Sequence, residues 1–320
     1  MSIGTRAAPG RTEPTWEDVL MDFDTTAGLR MTPRQVRRTV RAARRFIWRT
    51  GLPAPGAVTA AAVEKYLAGL ASGGASPKTL ANGRSYLSVL CEHLAGRGIL
   101  GSNPCAAIRL KRPDKVPARW LDDGQVRAVL SLARRAGIWP EVALALATGL
   151  RLSELIRLEW ADVDVPRRTL LVRTSKSGRW RTVSLSALAL EALAAQRRLS
   201  GPAGAGTRAV FPARRTFPGG WRFVDRRRDI NWWLRAIKPI QAAVPAFTAG
   251  APGCSTGRGW HLLRHTFASR LAQAGVSLYK IAQWMGHSDV KTTQIYAHLA
   301  PGFDSDIDRA FPSSNPPADA

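Results

Sequence analysis

The sequence has 320 residues, 45% of them hydrophobic, which is enough apolar material to bury one large core or two smaller ones. A wholly disordered chain is therefore excluded. The formal net charge is +24, from 47 Lys and Arg against 23 Asp and Glu, and the basic excess is present in both halves of the chain. This balance favours a polyanionic partner such as nucleic acid.

Cysteine usage and hydropathy limit the class of protein further. Cys91, Cys105 and Cys254 form no pair with metal-ligand spacing and no disulfide framework, so we predict no metal site and a reducing compartment. The N-terminal residues lack the apolar core of a signal peptide, and the chain has no run of about 18 apolar residues. We therefore expect a cytoplasmic protein without a membrane span.

Residues 1–13 are rich in Gly, Pro and Arg and are predicted to form a flexible N-terminus. Hydrophobic periodicity then predicts a helical domain over residues 14–102. Its helices are expected near 15–28, 32–50, 58–72 and 77–97.

The second of these helices has two contrasting faces. Thr32 is a suitable N-cap, and Pro33 suits the first helical position. Its apolar face consists of Val36, Val40, Ala43 and Ile47. Its opposite face carries Arg34, Arg38, Arg41 and Arg45. Because no acidic residue relieves these charges between Arg30 and Arg49, the pattern favours contact with DNA over an ordinary solvated surface.

Residues 103–119 contain three prolines and several basic residues, and they are interpreted as an interdomain linker that can follow a DNA backbone. Lys111 and Arg112 lie in this linker, and Lys78 lies at the start of the fourth helix. All three are predicted DNA contacts.

A second domain is predicted over residues 120–300, followed by an acidic, proline-rich tail at 301–320. Residues 162–185 predict a small antiparallel sheet with turns at Arg167-Arg168 and Ser177-Gly178. Helices are expected near 123–136, 139–148, 186–199, 224–240, 261–274, 277–284 and 289–299. Residues 200–222 and 245–259 are expected to be loops.

Three clusters in this domain contain residues suited to phosphoryl transfer. They are TGLRLSEL from Thr148, HLLRHTFASRLAQAG from His261, and MGHSDVKTTQIYAH from Met285. Arginine holds two phosphate oxygens with a planar fork and stays protonated. A tyrosine hydroxyl has a pKa near 10 and needs a base or a strong positive field to become a nucleophile. His261 lies three residues before Arg264, on the same helical face, and is a candidate base.

The order and spacing of the three clusters resemble the signature motifs of the tyrosine recombinase (phage integrase) family. The resemblance implies a mainly α fold, with an N-terminal helical core-binding (SAM-like) domain. It also implies a mostly helical catalytic domain with a small antiparallel sheet, in the fold of DNA breaking-rejoining enzymes.

The resemblance implies a role for each matching residue. Arg151 and Arg264 would bind the scissile phosphate, Lys176 on the predicted hairpin turn would act as general acid, and Tyr296 would be the nucleophile. His261 and His287 match the two histidine positions, and Glu154 would be a structural support. His265 and His298, next to motif residues, are interpreted as supporting residues.

The implied reaction is cleavage and rejoining of duplex DNA through a 3′-phosphotyrosine, without metal, ATP or another cofactor. The implied partners are double-stranded DNA and three further copies of the chain, in a tetramer on paired DNA sites. A type IB topoisomerase-like enzyme and a non-catalytic DNA-binding protein of the same fold are the alternatives.

Overall fold

The structure, a computed structural model, describes residues 13–111, 119–173, 180–204, 206–217, 220–248 and 258–300. The chain divides into two compact units, which comprise residues 1–115 and 116–320. The described residues are mostly helical and include small antiparallel sheets, which confirms the predicted fold class. Among these residues, none of the helices combines the length and apolar character needed to cross a bilayer.

The helices of the first unit begin where the sequence provides capping residues. Thr32 and Ser76 each accept a hydrogen bond from a backbone N–H in the first helical turn, and Pro33 and Pro77 follow them. The helices are α1 (Trp16–Ala27), α2 (Pro33–Thr50), α3 (Ala60–Ser72) and α4 (Pro77–Gly96). All four helices predicted in this region are confirmed.

The core of the first unit lies between these helices. On α2 the buried residues are Val36, Thr39, Ala43 and Phe46, and the predicted arginine face is exposed. Cys105 and Ile108 are buried in the same core, so the first part of the predicted linker packs on this unit. Burial of these apolar side chains supplies most of the unit's stability.

The described residues of the second unit form further helices and five strands. Its helices are α5 (Asp123–Arg135), α6 (Trp139–Thr148), α7 (Leu152–Arg157), α8 (Ala187–Gly204), α9 (Ile230–Ala236), α10 (Lys238–Ala243), α11 (Pro245–Thr248), α12 (Arg258–Gln273) and α13 (Leu278–Met285). Its strands are β1 (Val163–Asp164), β2 (Thr169–Arg173), β3 (Trp180–Ser184), β4 (Pro212–Phe217) and β5 (Gly220–Arg227).

The predicted sheet is present as three antiparallel strands in the order β1-β2-β3. Leu170 pairs with Val183, and both side chains are buried. Since alternate residues of a strand share a face, this register also directs Arg181 towards the interior with Val183. The residues between β2 and β3, which include the predicted turn at Ser177-Gly178, lie outside the described residues.

Residues 200–222 were expected to be a loop, and this expectation was wrong. Strands β4 and β5 form an antiparallel hairpin that covers most of residues 212–227. The strands are rich in arginine and contain few β-branched residues, so the alternation of apolar and polar residues that identifies a strand is absent. Because β5 continues to Arg227, the helix expected from residue 224 begins only at Ile230, where Asp229 caps α9.

Two further expectations need correction. Residues 245–259 were expected to be a loop, but α11 lies within them and α12 begins at Arg258. The helix expected near 289–299 consists of two 3-10 helices, Val290–Thr292 and Gln294–Leu299. The i to i+3 bond from the Tyr296 N–H to the Thr293 carbonyl is typical of this tighter helix.

Candidate active site

Arg151 lies at a sharp turn between α6 and α7. Helix α6 ends at Gly149, whose φ of +62° is left-handed, and a Cβ there would meet Cδ1 of Phe267 at 2.4 Å. Only glycine fits this close approach to α12. The Arg151 guanidinium donates to Oε1 of Glu154 at 3.0 Å and to the carbonyl of Gly286 at 3.1 Å.

Arg264 is the buried cation of the site, with 4% of its surface exposed. It donates to the carbonyl oxygens of Gly149 and Met285, and its Nη2 lies 3.3 Å from Nε2 of His287. Burial, and then the charge of Arg151, lower the pKa of Arg264 to about 9, so it remains cationic at neutral pH. The three clusters identified in the sequence therefore meet at this side chain.

Glu154 joins two arginines from different elements. Its Oε1 and Oε2 accept from Nη1 and Nη2 of Arg181 at 2.9 and 2.7 Å, and its Oε1 also accepts from Arg151. Burial opposes ionisation of Glu154, but the hydrogen bonds and charge of Arg181, with those of Arg151, lower its pKa to about 2. The supporting role predicted for Glu154 is consistent with these contacts.

Sequence reasoning did not include Arg181 among the site residues. Its Nε donates to the Trp284 carbonyl at 2.7 Å, and its side chain is 9% exposed. Gly286, with a φ of +63°, leaves room for it, since a Cβ there would lie 2.8 Å from Nη1 of Arg181. The signal in the sequence was its spacing of two from Val183, which places an arginine on the inward face of a strand.

Tyr296 is fully buried in a cluster formed with α12 and α13. Its hydroxyl oxygen lies 2.6 Å from Nδ1 of His265. Burial raises the pKa of Tyr296 to about 12, although the charge of Arg264 acts in the opposite direction. The hydroxyl is therefore neutral at physiological pH and hydrogen-bonded to a histidine.

The two histidines of α12 occupy different environments. Burial, together with His261 and Arg264, lowers the pKa of His265 to about 4, so its ring is neutral at pH 7 and keeps one nitrogen free to accept a hydrogen bond. His261 is more exposed, and its ring centroid lies 5.9 Å from that of His265. Its pKa is also lowered, by desolvation and by the charges of Arg264 and Arg151. His265, which the sequence reasoning treated as a supporting residue, is the histidine that contacts Tyr296.

His287 follows the left-handed Gly286 that ends α13. Its Nδ1 lies 2.8 Å from the hydroxyl oxygen of Thr293, which fixes the orientation of the ring and directs Nε2 towards Arg264. Burial and the nearby charges of Arg264, Arg151 and Arg181 lower its pKa to about 4. A neutral ring has one donor and one acceptor nitrogen, and Thr293 and Arg264 are the neighbours of the two.

The structure brings most of the predicted catalytic residues together: Arg151, His261, Arg264, His287 and Tyr296, with Glu154 beside them. Lys176 and Arg112 lie outside the described residues. The remaining predicted DNA contacts belong to the first unit and are exposed there: Arg34, Arg38, Arg41, Arg45, Lys78 and Lys111.

The second unit is mainly helical and holds a buried cationic centre beside a tyrosine that contacts a histidine. It is also the part of the chain that a protein-family model matches. A sequence model described as the phage integrase family matches residues 119–302, and the chain belongs to this family. The resemblance found in the sequence motifs is thereby confirmed.

Curated relatives extend this likeness beyond the matched residues. The tyrosine recombinase XerC of Xanthomonas campestris pv. campestris is 34% identical over 238 residues, which is 71% of this chain and 65% of that protein. The chain thus spans slightly less than two thirds of that relative's length. XerC of Chromohalobacter salexigens is 31% identical over 292 residues, which is 86% of this chain and 89% of that protein.

Solved structures of low sequence identity share the fold. Lambda integrase, in a dimer bound to a COC′ core site, has a TM-score of 0.69 at 18% identity, over 89% of this chain and 96% of that one. The Tn1549 transposon integrase, in complex with a circular intermediate DNA, has a TM-score of 0.66 at 19% identity, over 91% of this chain and 96% of that one.

Proposed function

We propose that this protein is a site-specific DNA recombinase that cleaves and rejoins duplex DNA through a transient 3′-phosphotyrosyl link on Tyr296. The observation that carries the proposal is the 2.6 Å contact between the Tyr296 hydroxyl and His265, one residue after the buried Arg264. Membership of the phage integrase family and the relatives that are tyrosine recombinases support it.

Arg151 and Arg264 bind the scissile phosphate in this proposal. A guanidinium has five N–H donors, so Arg264 keeps donors for phosphate oxygens beyond the two carbonyls that hold it. Glu154 positions Arg151 without neutralising the site, because it is shared with Arg181. The resulting positive centre stabilises the charge that develops on the phosphate in the transition state.

The chemical step transfers one phosphodiester bond to another. The Tyr296 oxygen attacks phosphorus, the bond to the 5′ oxygen breaks, and the tyrosine proton passes to His265. The leaving 5′ oxygen takes a proton from Lys176, an assignment that rests on the sequence motif alone. His261 and His287 hydrogen-bond the phosphate. Attack by a 5′ hydroxyl on the phosphotyrosine reverses these steps, and the retained bond energy makes ATP unnecessary.

Tyr296 must move before it can react. The side chain is fully buried, and a phosphate of duplex DNA cannot enter the cluster that surrounds it. The 3-10 helix Gln294–Leu299 is the segment that carries it, and a helix of only about two turns shifts more readily than a long α-helix. The resting contact with His265 thus precedes the attack.

Double-stranded DNA is the proposed partner of both units. The exposed arginines of α2, with Lys78, Lys111 and Arg112, would bind phosphates from the core-binding domain. The complexes of lambda integrase and Tn1549 integrase with DNA support this choice of partner. Assembly of four protomers on two DNA sites is part of the same proposal.

Covalent trapping tests the proposed function. The protein is expressed in its own host and denatured, the attached DNA is recovered, and the attached ends are sequenced for the wild type, Tyr296→Phe and Tyr279→Phe. Tyr279 is an exposed tyrosine on α13 and serves as the matched control. We expect ends clustered at one locus for the wild type and Tyr279→Phe, and none for Tyr296→Phe. Equal attachment in Tyr296→Phe would overturn the assignment, and relaxation of supercoils by a monomer would favour the topoisomerase alternative.

A further inference from the structure

Helix α2 has an arginine surface that ends in an exposed tryptophan. Trp48 is 80% exposed, although large aromatic residues in a folded protein usually bury most of their surface. It follows Arg41, Arg44 and Arg45 at spacings of seven, four and three, and these spacings place all four residues on one side of a helix. The Arg34–Trp48 face, defined here as residues 34, 37, 38, 41, 44, 45 and 48, is therefore a stripe of arginines with one aromatic ring near its C-terminal end.

The opposite side of α2 explains why this tryptophan has no place in the core. Val36, Ala43 and Phe46 fill the core side, and Trp48 lies about 200° around the helix from Phe46. Among the described residues, none of the arginines of the face forms an ion pair, and Trp48 makes no aromatic or cation–π contact. The face is thus neither a salt-bridged surface nor a packed one.

We propose that Trp48 supplies an apolar contact between α2 and duplex DNA, within an interface whose electrostatic part the arginines supply. The proposal rests on the proposed function and identifies one residue of its DNA-binding surface. Charge complementarity indicates the partner, because a stripe of guanidinium groups without ion pairs attracts a polyanion such as DNA. The stripe is about 21 Å long, and a helix of this diameter fits the major groove.

An indole ring in this position contacts sugar carbons or thymine methyl groups. Such contacts do not release counterions, whereas each arginine that neutralises a phosphate does. The contribution of Trp48 to the DNA affinity can therefore be distinguished from that of the neighbouring arginines by measuring how the affinity depends on salt concentration. Loss of the ring weakens binding equally at every ionic strength, while loss of an arginine reduces the dependence on salt.

The test is the affinity for a duplex of about 30 base pairs, of arbitrary sequence, measured at several salt concentrations under conditions of one protomer per DNA. The variants are Trp48→Ala, Trp48→Phe, Arg41→Ala and Met21→Ala. Met21 is an exposed apolar residue on α1, outside the Arg34–Trp48 face, and serves as the matched control. Circular dichroism establishes that each variant is folded.

We expect Trp48→Ala to bind about tenfold more weakly with an unchanged salt slope, and Trp48→Phe to recover most of the loss. Arg41→Ala should reduce the salt slope by about one. An affinity of Trp48→Ala equal to that of the wild type or Met21→Ala overturns the proposal and leaves the proposed function intact. The proposal is also overturned if Trp48→Ala weakens binding only at higher protein concentration, where a second protomer joins the DNA, because Trp48 would then contact protein. Failure of the wild type to bind duplex DNA removes both proposals.

Discussion

The Nδ1 atom of His265 lies 2.6 Å from the hydroxyl oxygen of Tyr296, 31 residues further along the chain. The contact joins the middle of α12 to the 3-10 helix that carries the tyrosine. The His265 ring is neutral, so in the tautomer that carries its proton on Nε2 the Nδ1 atom accepts a hydrogen bond from the tyrosine hydroxyl. In the proposed function this contact makes His265 the acceptor of the Tyr296 proton, a partner that spacing in the sequence did not reveal.

Replacing His265 by alanine should slow formation of the covalent DNA complex. Loss of a general base lowers rates by roughly 10²- to 10⁴-fold, and the Tyr296 hydroxyl would be left buried without its acceptor. Rates of covalent complex formation on the trapped target sequence measure the effect. His298→Ala is the matched control, since His298 is an exposed histidine on the 3-10 helix that carries Tyr296. Equal rates for the two variants would show that His265 takes no part in proton transfer.

Replacing Glu154 by glutamine should destabilise the second unit and reduce cleavage. The Glu154 and Arg181 side chains are 8% and 9% exposed, and breaking a buried pair of this kind costs about 3–5 kcal/mol. Glu191→Gln removes the exposed partner of Arg134, at 3.4 Å, and should change the free energy of unfolding by less than about 1 kcal/mol. Urea denaturation of both variants measures the difference. A similar small change in both would contradict the supporting role of Glu154.

Alanine substitutions at Gly286 and at Gly137 together distinguish the effect of backbone strain from the effect of displacing Arg181. Gly286 and Gly137 have φ values of +63° and +66°, so alanine costs each of them about 1 kcal/mol of backbone strain. Only at Gly286 does the added Cβ meet another side chain, that of Arg181. We therefore expect similar strain in both variants, but loss of DNA cleavage in Gly286→Ala alone. Full cleavage by folded Gly286→Ala would mean that the position of Arg181 is unimportant.

Stability should fall as the pH decreases from about 6.5 to 4.5. Unfolded histidines take up protons below a pKa near 6.5, whereas the folded pKa values of His265 and His287 are about 4. The unfolded state therefore binds more protons in this window, and the free energy of unfolding rises with pH. Glu154, with a folded pKa of about 2, contributes only below about 4.5. Urea denaturation at several pH values measures this slope, which His265→Asn should reduce. An unchanged slope in that variant would contradict the shifted pKa of His265.

Local patterns in the sequence predicted much of the fold. Capping residues such as Thr32 and Ser76 act within one helical turn, so the beginnings of α2 and α4 could be placed accurately. The hairpin of β4 and β5 was missed because its strands are rich in arginine and lack the alternation of apolar and polar residues that identifies a strand. The ends of elements were predicted best where a single side chain determines them.

The candidate site was predicted from sequence motifs, and the residues that this prediction left out were missed for physical reasons. Motif order identified Arg151, Arg264 and Tyr296 without any knowledge of distance. His261 and His265 are four residues apart and share a helical face, so periodicity alone could not decide which of them reaches Tyr296. Arg181 was missed because its partner Glu154 lies on a different element, and only the tertiary fold brings them within 2.9 Å.

Arg264 and Arg151 each donate to a carbonyl oxygen in the later part of the family-matched region, at Met285 and Gly286 respectively. A ribosome synthesises these residues late, long after the arginine-rich helix α2 has emerged, and N-terminal domains generally fold first. During translation α2 can therefore fold well before the carbonyl groups of Met285 and Gly286 are available to hold Arg264 and Arg151. If the proposed function holds, a nascent chain could bind DNA through α2 but could not cleave it before Met285 and Gly286 have been synthesised.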